Sequence, residues 1–160
     1  MKKYALGLSY QGQSYNGWQA QPNNPSIQEA LEKALAKVAN QQIKTICAGR
    51  TDAGVHAVGQ VVHFETDVER KTSAWSFGVN THLPKDIRVE WALQVPDAFH
   101  ARFSAQSRTY RYVIYNHQFH NALFPELSTW ISQPLDESLM HDAAQYLLGE
   151  HDFSAFRAKG

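Results

Sequence analysis

One loop of the 160-residue chain combines an arginine and an aspartate between two glycines, Gly49-Arg50-Thr51-Asp52-Ala53-Gly54. It precedes residues 58–64, whose β-branched and aromatic side chains predict a strand. Glycine suits places where the backbone takes unusual angles or approaches another group closely. A carboxylate kept ionised in such a loop is suited to act as a nucleophile or base, including at sugar carbons. Thr-Asp-Ala-Gly also suits a tight turn in which the aspartate accepts backbone N–H groups, so the spacing alone leaves both interpretations open.

The charge balance argues mildly against a nucleic-acid partner, yet the charges are unevenly placed. Lys+Arg and Asp+Glu number 15 each, whereas phosphate-binding proteins usually carry a basic excess. Residues 102–111 nevertheless contain Arg102, Arg108 and Arg111 and no acid, which predicts a basic face on a neutral chain. These arginines are candidate RNA-phosphate contacts, and ordinary surface cations are the alternative.

Several classes of protein and site are not supported by the sequence. The single cysteine, Cys47, allows no internal disulfide and fits a reducing cytoplasm, and no secretory or membrane-spanning stretch is visible. The close pair His117 and His120 lacks neighbouring cysteines or an ordered carboxylate pattern, so we expect no metal site. No GxGxxG or P-loop is present, so neither a dinucleotide nor an NTP is implied.

The elements that must position the loop follow from hydrophobic periodicity. Strands are predicted over residues 4–10, 43–47, 58–64 and 87–93. One helix is predicted from its N-cap Ser26 to Asn40, and a shorter one from Ser73 to residue 80. The order β-α-β-β-α-β predicts an α+β, ferredoxin-like (RRM-like) unit, with an antiparallel sheet and helices on one face.

The second part of the chain begins the same order of predicted strands and helices again. A strand is predicted over residues 106–116, followed by an aromatic, proline-containing stretch to 134 and a helix that Asp136 caps and Gly149 stops. No further strand follows. We therefore predict a first domain over residues 1–104 and the start of a second, incomplete and similar unit over residues 105–160.

Two aromatic side chains have competing interpretations. Trp18 lies in the loop of residues 11–25 and is interpreted either as an RNA-stacking surface or as a tryptophan at the edge of the core. Tyr110 is interpreted as a base-stacking or proton-donating tyrosine, or as one of several alternating strand tyrosines. The pattern does not distinguish Tyr110 from Tyr112.

Residues 49–57, Gly-Arg-Thr-Asp-Ala-Gly-Val-His-Ala, resemble the signature of the tRNA pseudouridine synthase A family. Residues 10–12 with 15–19 resemble that family's opening segment, and residues 99–105 running into 108–112 resemble its second motif. The resemblance implies conversion of uridine to pseudouridine in tRNA, usually at uridines 38 to 40 of the anticodon stem-loop. It further implies a homodimer that binds tRNA across both subunits and an isomerisation that needs no metal, cofactor or energy donor.

The resemblance also implies roles for three residues. Asp52 matches the catalytic aspartate, Arg50 the arginine that accompanies it, and Tyr110 the active-site tyrosine that stacks on the uracil. Members of the family continue well beyond the equivalent of Gly160, so we expect this form to have low or no activity. The alternatives are a non-catalytic RNA-binding module of the same fold and, less favoured, a glycosidase, which needs a second acid such as Glu65 near Asp52.

Overall fold

The strand β1 (Lys2–Tyr10) lies inside a four-stranded antiparallel sheet. In the computed structural model, which describes residues 1–156, it pairs with β3 (Ala57–Thr66) on one side and β4 (Ile87–Val95) on the other. The short strand β2 (Ile46–Cys47) extends the sheet beyond β3. The order is therefore β2-β3-β1-β4, in which every neighbouring pair is antiparallel.

The helix α1 (Ile27–Ala39) has the ends that its sequence predicts. The hydroxyl of Ser26 accepts a hydrogen bond from the Glu29 amide at 3.3 Å, which satisfies one of the free N–H groups at the helix start. Asn40 ends the helix in the left-handed region, with φ of 55°. Both predicted ends are confirmed.

The second predicted helix is interrupted. Thr72–Trp75 forms a 3₁₀ turn, and α2 (Phe77–Asn80) follows as a single short α-helical segment. Ser73 lies inside the 3₁₀ turn and provides no side-chain cap, so its predicted capping role is wrong. Asn80 instead bonds the backbone of Val89, donating to its carbonyl and accepting from its amide, which ties the end of α2 to β4.

The hydrophobic core lies between one face of the sheet and the two helices. Trp75 packs edge-on against Phe64 and tilted against Tyr4, so the 3₁₀ turn contributes a side chain to this core. Burying such aromatic and aliphatic side chains supplies the main favourable term in folding. The fully buried large side chains are Leu6, Leu8, Trp18, Ile27, Leu31, Leu35, Val62, Phe64, Trp75, Val79 and Ile87.

The opposite face of the sheet is lined by the small residues of β1, which alternate with its core residues. The indole of Trp91 lies so close to Gly7 that an added Cβ would stand 2.1 Å from it. Gly7 pairs with Trp91 and Leu8 with Val89, so Glu90 is an extra residue in β4. This irregularity turns Trp91 away from the core face that Ile87 and Val89 occupy, and the simple alternation predicted for β4 ends there.

Two predicted strands are shorter than expected. Residues 43–45 do not pair with β3, and the amide and hydroxyl of Thr45 instead both donate to the buried carboxylate of Glu32. Residues 106–113 are not strand either, and only Ile114–Asn116 (β5) pairs, in parallel with Thr129–Ile131 (β6). Alternating aromatic residues make a strand only where a neighbour satisfies the backbone groups.

The chain divides into two compact units, Met1–Tyr110 and Arg111–Gly160, of which the second is described to residue 156. In the second, Asp136 caps α3 (Glu137–Gln145) by accepting from the Leu139 amide at 2.9 Å, as predicted. The helix ends at Gln145, so the prediction that Gly149 stops it is wrong, although Gly149 has φ of 99°. No side chain of residues 111–156 is buried. The α+β class is confirmed, and no helix within residues 1–156 has the length and apolarity to cross a membrane.

Replacing Ser26 with alanine tests the predicted cap of α1. Ser26→Ala removes the acceptor for the Glu29 amide and should lower the free energy of unfolding by about 1 kcal/mol. Ser73→Ala is the matched control, because Ser73 is exposed and makes no capping bond, and it should change stability by less than about 0.5 kcal/mol. Urea unfolding followed by circular dichroism measures both, and equal effects would contradict this assignment of the caps.

Candidate active site

Residues 48–56 form the loop between β2 and β3 and contain a tight turn. The amide of Val55 donates to the backbone oxygen of Asp52 at 3.2 Å, and Gly54, in the third position of the turn, has φ of 78°. That backbone angle is strained for residues with a side chain. The predicted turn is therefore confirmed, but its acceptor is the backbone oxygen of Asp52, and the carboxylate remains exposed.

The loop rests on the opening segment, residues 11–18, through backbone hydrogen bonds. The amide of Trp18 donates to the oxygen of Thr51 at 2.9 Å, and the amide of Gly54 donates to the oxygen of Tyr15 at 3.3 Å. The amide of Gly12 donates to Nδ1 of His56 at 3.3 Å. The opening segment and the Asp52 loop, which are far apart in the sequence, are thus held together by hydrogen bonds.

Glycine is required at two points of this contact. A Cβ on Gly12 would lie 1.9 Å from the backbone oxygen of Val55. A Cβ on Gly17 would lie 2.6 Å from the oxygen of Thr51, and Gly17 also has φ of 86°. Real Cβ atoms do not approach backbone so closely, so any larger residue here would push the Asp52 loop away.

Trp18 lies under this contact, with 1% of its surface exposed, and its ring packs against Tyr10 at 6.1 Å between centroids. Its interpretation as an RNA-stacking surface is therefore wrong, and its interpretation as a core tryptophan is confirmed. A hydrophobic side chain in a glycine- and proline-rich loop looks exposed in sequence, because nothing local reveals that the loop folds back on the core.

Side chains of β1 and β3 hold the Asp52 loop through hydrogen bonds on its inner side. The hydroxyls of Tyr10 and Thr51 are hydrogen-bonded at 2.8 Å, and the side-chain amide of Gln60 donates to the oxygen of Gly49 at 2.6 Å. Burial raises the pKa of Tyr10, although its hydrogen bonds with Thr51 and Gln60 lower it. The Tyr10 phenol therefore stays protonated at neutral pH and remains able to hydrogen-bond with Thr51.

Arg50 and Asp52 flank Thr51 and are both exposed. Thr51 is directed inward through its hydroxyl and its carbonyl, which leaves the two charged neighbours at the surface. Within residues 1–156 no ion pair joins them, so Asp52 is not neutralised by Arg50. The carboxylate is held in place by its backbone and remains available for a ligand.

Three arginines, Arg50, Arg102 and Arg108, lie within electrostatic reach of the thiol of Cys47 and are called the arginine cluster below. Burial raises the pKa of Cys47, and the positive charges of the three arginines oppose that rise. Cys47 ends β2 immediately before the loop. The cluster therefore gathers cations from two separate stretches of sequence beside the segment that carries Asp52.

Arg108 also has a structural role that the sequence did not predict. Its guanidinium donates to the backbone oxygen of Ala48 from Nη2 at 2.6 Å and from Nε at 3.2 Å, and Nη2 reaches the oxygen of Arg102 at 3.4 Å. It therefore ties its own segment to the base of the loop. Arg102 is exposed, and its guanidinium carbon lies 5.6 Å from the ring centre of Phe103.

Tyr110 is the last residue of the first unit and has 72% of its surface exposed. Burial is the main cause of the raised pKa of Tyr10, and the charge of Tyr110 adds a smaller contribution. The two phenols therefore lie within electrostatic reach of each other. Arg111 begins the second unit and is exposed. Tyr112, the rival of Tyr110, also belongs to the second unit, where its hydroxyl accepts from Thr129 at 2.7 Å.

No group of three or more metal-ligating side chains occurs within residues 1–156. The ring of His120 stacks on Trp130 at 3.8 Å, and Nδ1 of His117 accepts from the amide of Phe119 at 3.1 Å. The two histidines therefore have local structural contacts.

Sequence reasoning proposed Asp52, Arg50 and Tyr110 as site residues but missed the residues that hold the Asp52 loop. Tyr10, Thr51 and Gln60 form the network beneath the loop, and Gly12 forms its closest contact. The available signal was the glycine spacing of residues 12 and 17, which marks close backbone approach without saying to what.

Replacing Gly12 with alanine tests the contact between the opening segment and the loop. Because the new Cβ would overlap the backbone oxygen of Val55, Gly12→Ala should lower the free energy of unfolding by about 1–3 kcal/mol. Gly59→Ala is the matched control, since a Cβ there meets nothing within 4 Å, and it should be neutral or slightly stabilising. Urea unfolding measures both, and a neutral Gly12→Ala would contradict the contact.

Comparison with known proteins agrees with these motifs. The family model for tRNA pseudouridine synthase matches residues 8–104, which include the opening segment, the Asp52 loop and Arg102. A curated tRNA pseudouridine synthase A from Photorhabdus laumondii is 57% identical over 156 residues, covering 98% of this chain and 59% of the relative. One from Escherichia coli is 58% identical, covering 98% of this chain and 58% of the relative.

The chain therefore spans less than three-fifths of the length of these curated relatives. The match nevertheless covers almost all of its own residues, and the family model covers the whole candidate site apart from Arg108, Tyr110 and Arg111. On this evidence the chain belongs to the tRNA pseudouridine synthase family.

Proposed function

We propose that this chain forms part of an enzyme that isomerises uridine to pseudouridine in tRNA, with Asp52 as the catalytic carboxylate. The observation that carries the proposal is the placement of Asp52. Its carboxylate is exposed at the tip of a loop whose backbone is fixed on both sides, and the arginine cluster lies beside that loop. A fixed carboxylate next to cations suits chemistry at a sugar that is flanked by phosphates.

The reaction breaks the bond between C1′ and N1 of uridine, turns the uracil, and forms a bond between C1′ and C5. The hydrogen on C5 leaves as a proton, and N1 gains one, so the change is balanced without a redox cofactor. Asp52 takes part by adding to C1′, by adding to the ring, or by abstracting a proton, and these alternatives remain open. A stacked uridine must first leave its stack, which costs a few kcal/mol.

Arg50 and Tyr110 complete the proposed site. Arg50 lies two residues before Asp52 and is exposed, so its guanidinium is available to position the carboxylate and occupy the space of the displaced base. Tyr110 has an exposed ring, which suits stacking on the extracted uracil. Both roles come from the family resemblance and are supported by the exposure of these side chains.

Arg102, Arg108 and Arg111 are proposed to contact tRNA phosphates. Arg102 is exposed, and its guanidinium makes no hydrogen bond within residues 1–156. Arg108 makes three N–H···O contacts with backbone oxygens, which position its own segment. Only its remaining N–H donors are available for RNA. Arg111 is exposed in the second unit.

The wider assembly belongs to the same proposal. We infer a ferredoxin-like first domain over residues 1–104, supported by the element order and by the sheet order β2-β3-β1-β4. Residues 105–160 begin a second such unit, and the apolar residues of α3 that remain exposed, such as Leu139, support its being incomplete. The enzyme acts in the cytoplasm as a homodimer on uridines 38 to 40 of the anticodon stem-loop.

Release of tritium from tRNA labelled at C5 of uridine tests the reaction, because forming the new bond expels that hydrogen. The assay uses a chimera in which this chain replaces the matching part of the Photorhabdus laumondii relative, with that relative as positive control. Asp52→Asn should lower the rate on the order of 10³-fold. Asp142→Asn, an exposed carboxylate of α3, should leave it unchanged.

Each other outcome has a defined meaning. Release that survives Asp52→Asn would contradict the role of Asp52. If the chimera and its Asp52→Asn form bind tRNA equally well and neither releases tritium, the RNA-binding module is favoured instead. The 160-residue chain assayed alone tests the expectation that this form has low or no activity, and full activity would contradict it.

A further inference from the structure

The sheet face opposite the helices carries a segment that the proposed reaction does not explain. Residues 97–104 follow β4 and contain Arg102. Two side chains from the sheet hold this segment. Lys3 of β1 donates from Nζ to the backbone oxygens of Asp97 and Phe99, and His63 of β3 accepts at Nδ1 from the amide of Ala101 at 3.1 Å.

His63 is an unusual residue to find in this position. It is 3% exposed, and its ring meets that of His100 at 4.7 Å and that of Phe99 at 6.1 Å. A buried side-chain nitrogen is expected to have a hydrogen-bond partner. Here the nitrogen is used, because Nδ1 is the partner of the Ala101 amide, which is itself buried.

The anchored segment leads directly to the arginine cluster. Arg102 follows Ala101, and its backbone oxygen accepts from Arg108, which also binds the oxygen of Ala48 at the base of the Asp52 loop. Within the segment, His100 and Ser104 are joined by two hydrogen bonds at 2.7 and 3.0 Å, so the turn around Ala101 moves as one piece. Holding Ala101 therefore holds the backbone from which Arg102 projects.

We propose that His63 is a positioning residue which, as a neutral imidazole, holds residues 99–104 on the sheet so that Arg102 is set for an RNA phosphate, and which releases them when it is protonated. The proposal rests on the proposed function, since it assumes that Arg102 contacts RNA. His63 touches no substrate in this account and acts only through the Ala101 amide.

The chemistry of imidazole makes this bond conditional on pH. Nδ1 accepts a hydrogen bond only while it is unprotonated, so protonation would set two donors, Nδ1–H and the Ala101 N–H, against each other. Burial lowers the pKa of His63, and the charges of His100 and Lys3 lower it further, while Glu65 opposes them. The cross-strand neighbours, Ala5 and Ile46, carry no charge.

The direction of the pH effect follows from that lowered pKa. The folded state resists protonation that the unfolded chain accepts, so the contribution of His63 is complete above its ordinary pKa of about 6.5. It is lost progressively as pH falls from there through the lowered value in the folded protein. At neutral pH the segment is held.

Nuclear magnetic resonance of the 160-residue chain tests the anchoring without any RNA. At pH 7.5 the ¹⁵N shifts of His63 should show Nδ1 unprotonated and Nε2 protonated. On acidification, the resonances of Ala101 and Arg102 should shift with the titration of His63. In His63→Asn, whose Oδ1 can accept the same bond but does not titrate, these resonances should stay fixed. His82→Asn, an exposed histidine after α2, is the control and should behave as the unmodified chain.

Binding of tRNA over the same pH range tests the positioning. In the chimera used for the tritium assay, the tRNA affinity of the form with His63 divided by that of the His63→Asn form should be near one at pH 7.5. This ratio should fall about tenfold once His63 is protonated, the effect of losing one charged contact. Taking the ratio cancels the other histidines. His63→Leu, which keeps the site filled but lacks the acceptor, should bind weakly at every pH.

Three results would be decisive. A ratio that stays constant while the Ala101 resonance titrates would overturn the positioning role. An Ala101 resonance that ignores His63 would overturn the anchoring itself. If no form binds tRNA at any pH although Ala101 follows His63, the anchoring would be supported and the proposed function contradicted.

Discussion

The docking of Thr51 on the opening segment is the interaction on which the candidate site depends. Its carbonyl accepts the amide of Trp18 and its hydroxyl bonds that of Tyr10, so both backbone and side chain are directed into the protein. Arg50 and Asp52, on either side of Thr51, are exposed at the surface. The buried network thus gives an exposed carboxylate a fixed position, which is the property that oriented chemistry requires.

The two faces of the sheet contribute to the same site in different ways. On the helix face, Tyr10 and Trp18 support the Asp52 loop from within the core. On the other face, Lys3 and His63 hold the segment that carries Arg102. Arg108 joins the two by binding the backbone of Ala48 and of Arg102. A sheet buried on one face and only partly covered on the other therefore positions a carboxylate and its surrounding cations together.

The sequence predicted local features better than contacts between distant segments. The two caps of α1, the N-cap of α3, the class of fold and the turn at Asp52 follow from residue types within a few positions of each other. Three other features depend on contacts that no local pattern reveals. Trp18 is buried against Tyr10, and Thr45 bonds Glu32 instead of pairing with β3. Trp91 faces away from the core because Glu90 is an extra residue in β4. The candidate site residues were predicted from motifs, whereas the residues that hold the Asp52 loop could be identified only from the fold.

The effect of removing one oxygen, in Tyr10→Phe, tests the central claim most directly. The measurement is the single-turnover rate of tritium release by the chimera at saturating tRNA, alongside tRNA affinity. The account predicts a rate lowered about tenfold or more with unchanged affinity, because the loop loses its buried anchor while the arginines remain. A full rate in Tyr10→Phe would contradict the claim that the hydrogen bond between Tyr10 and Thr51 positions Asp52.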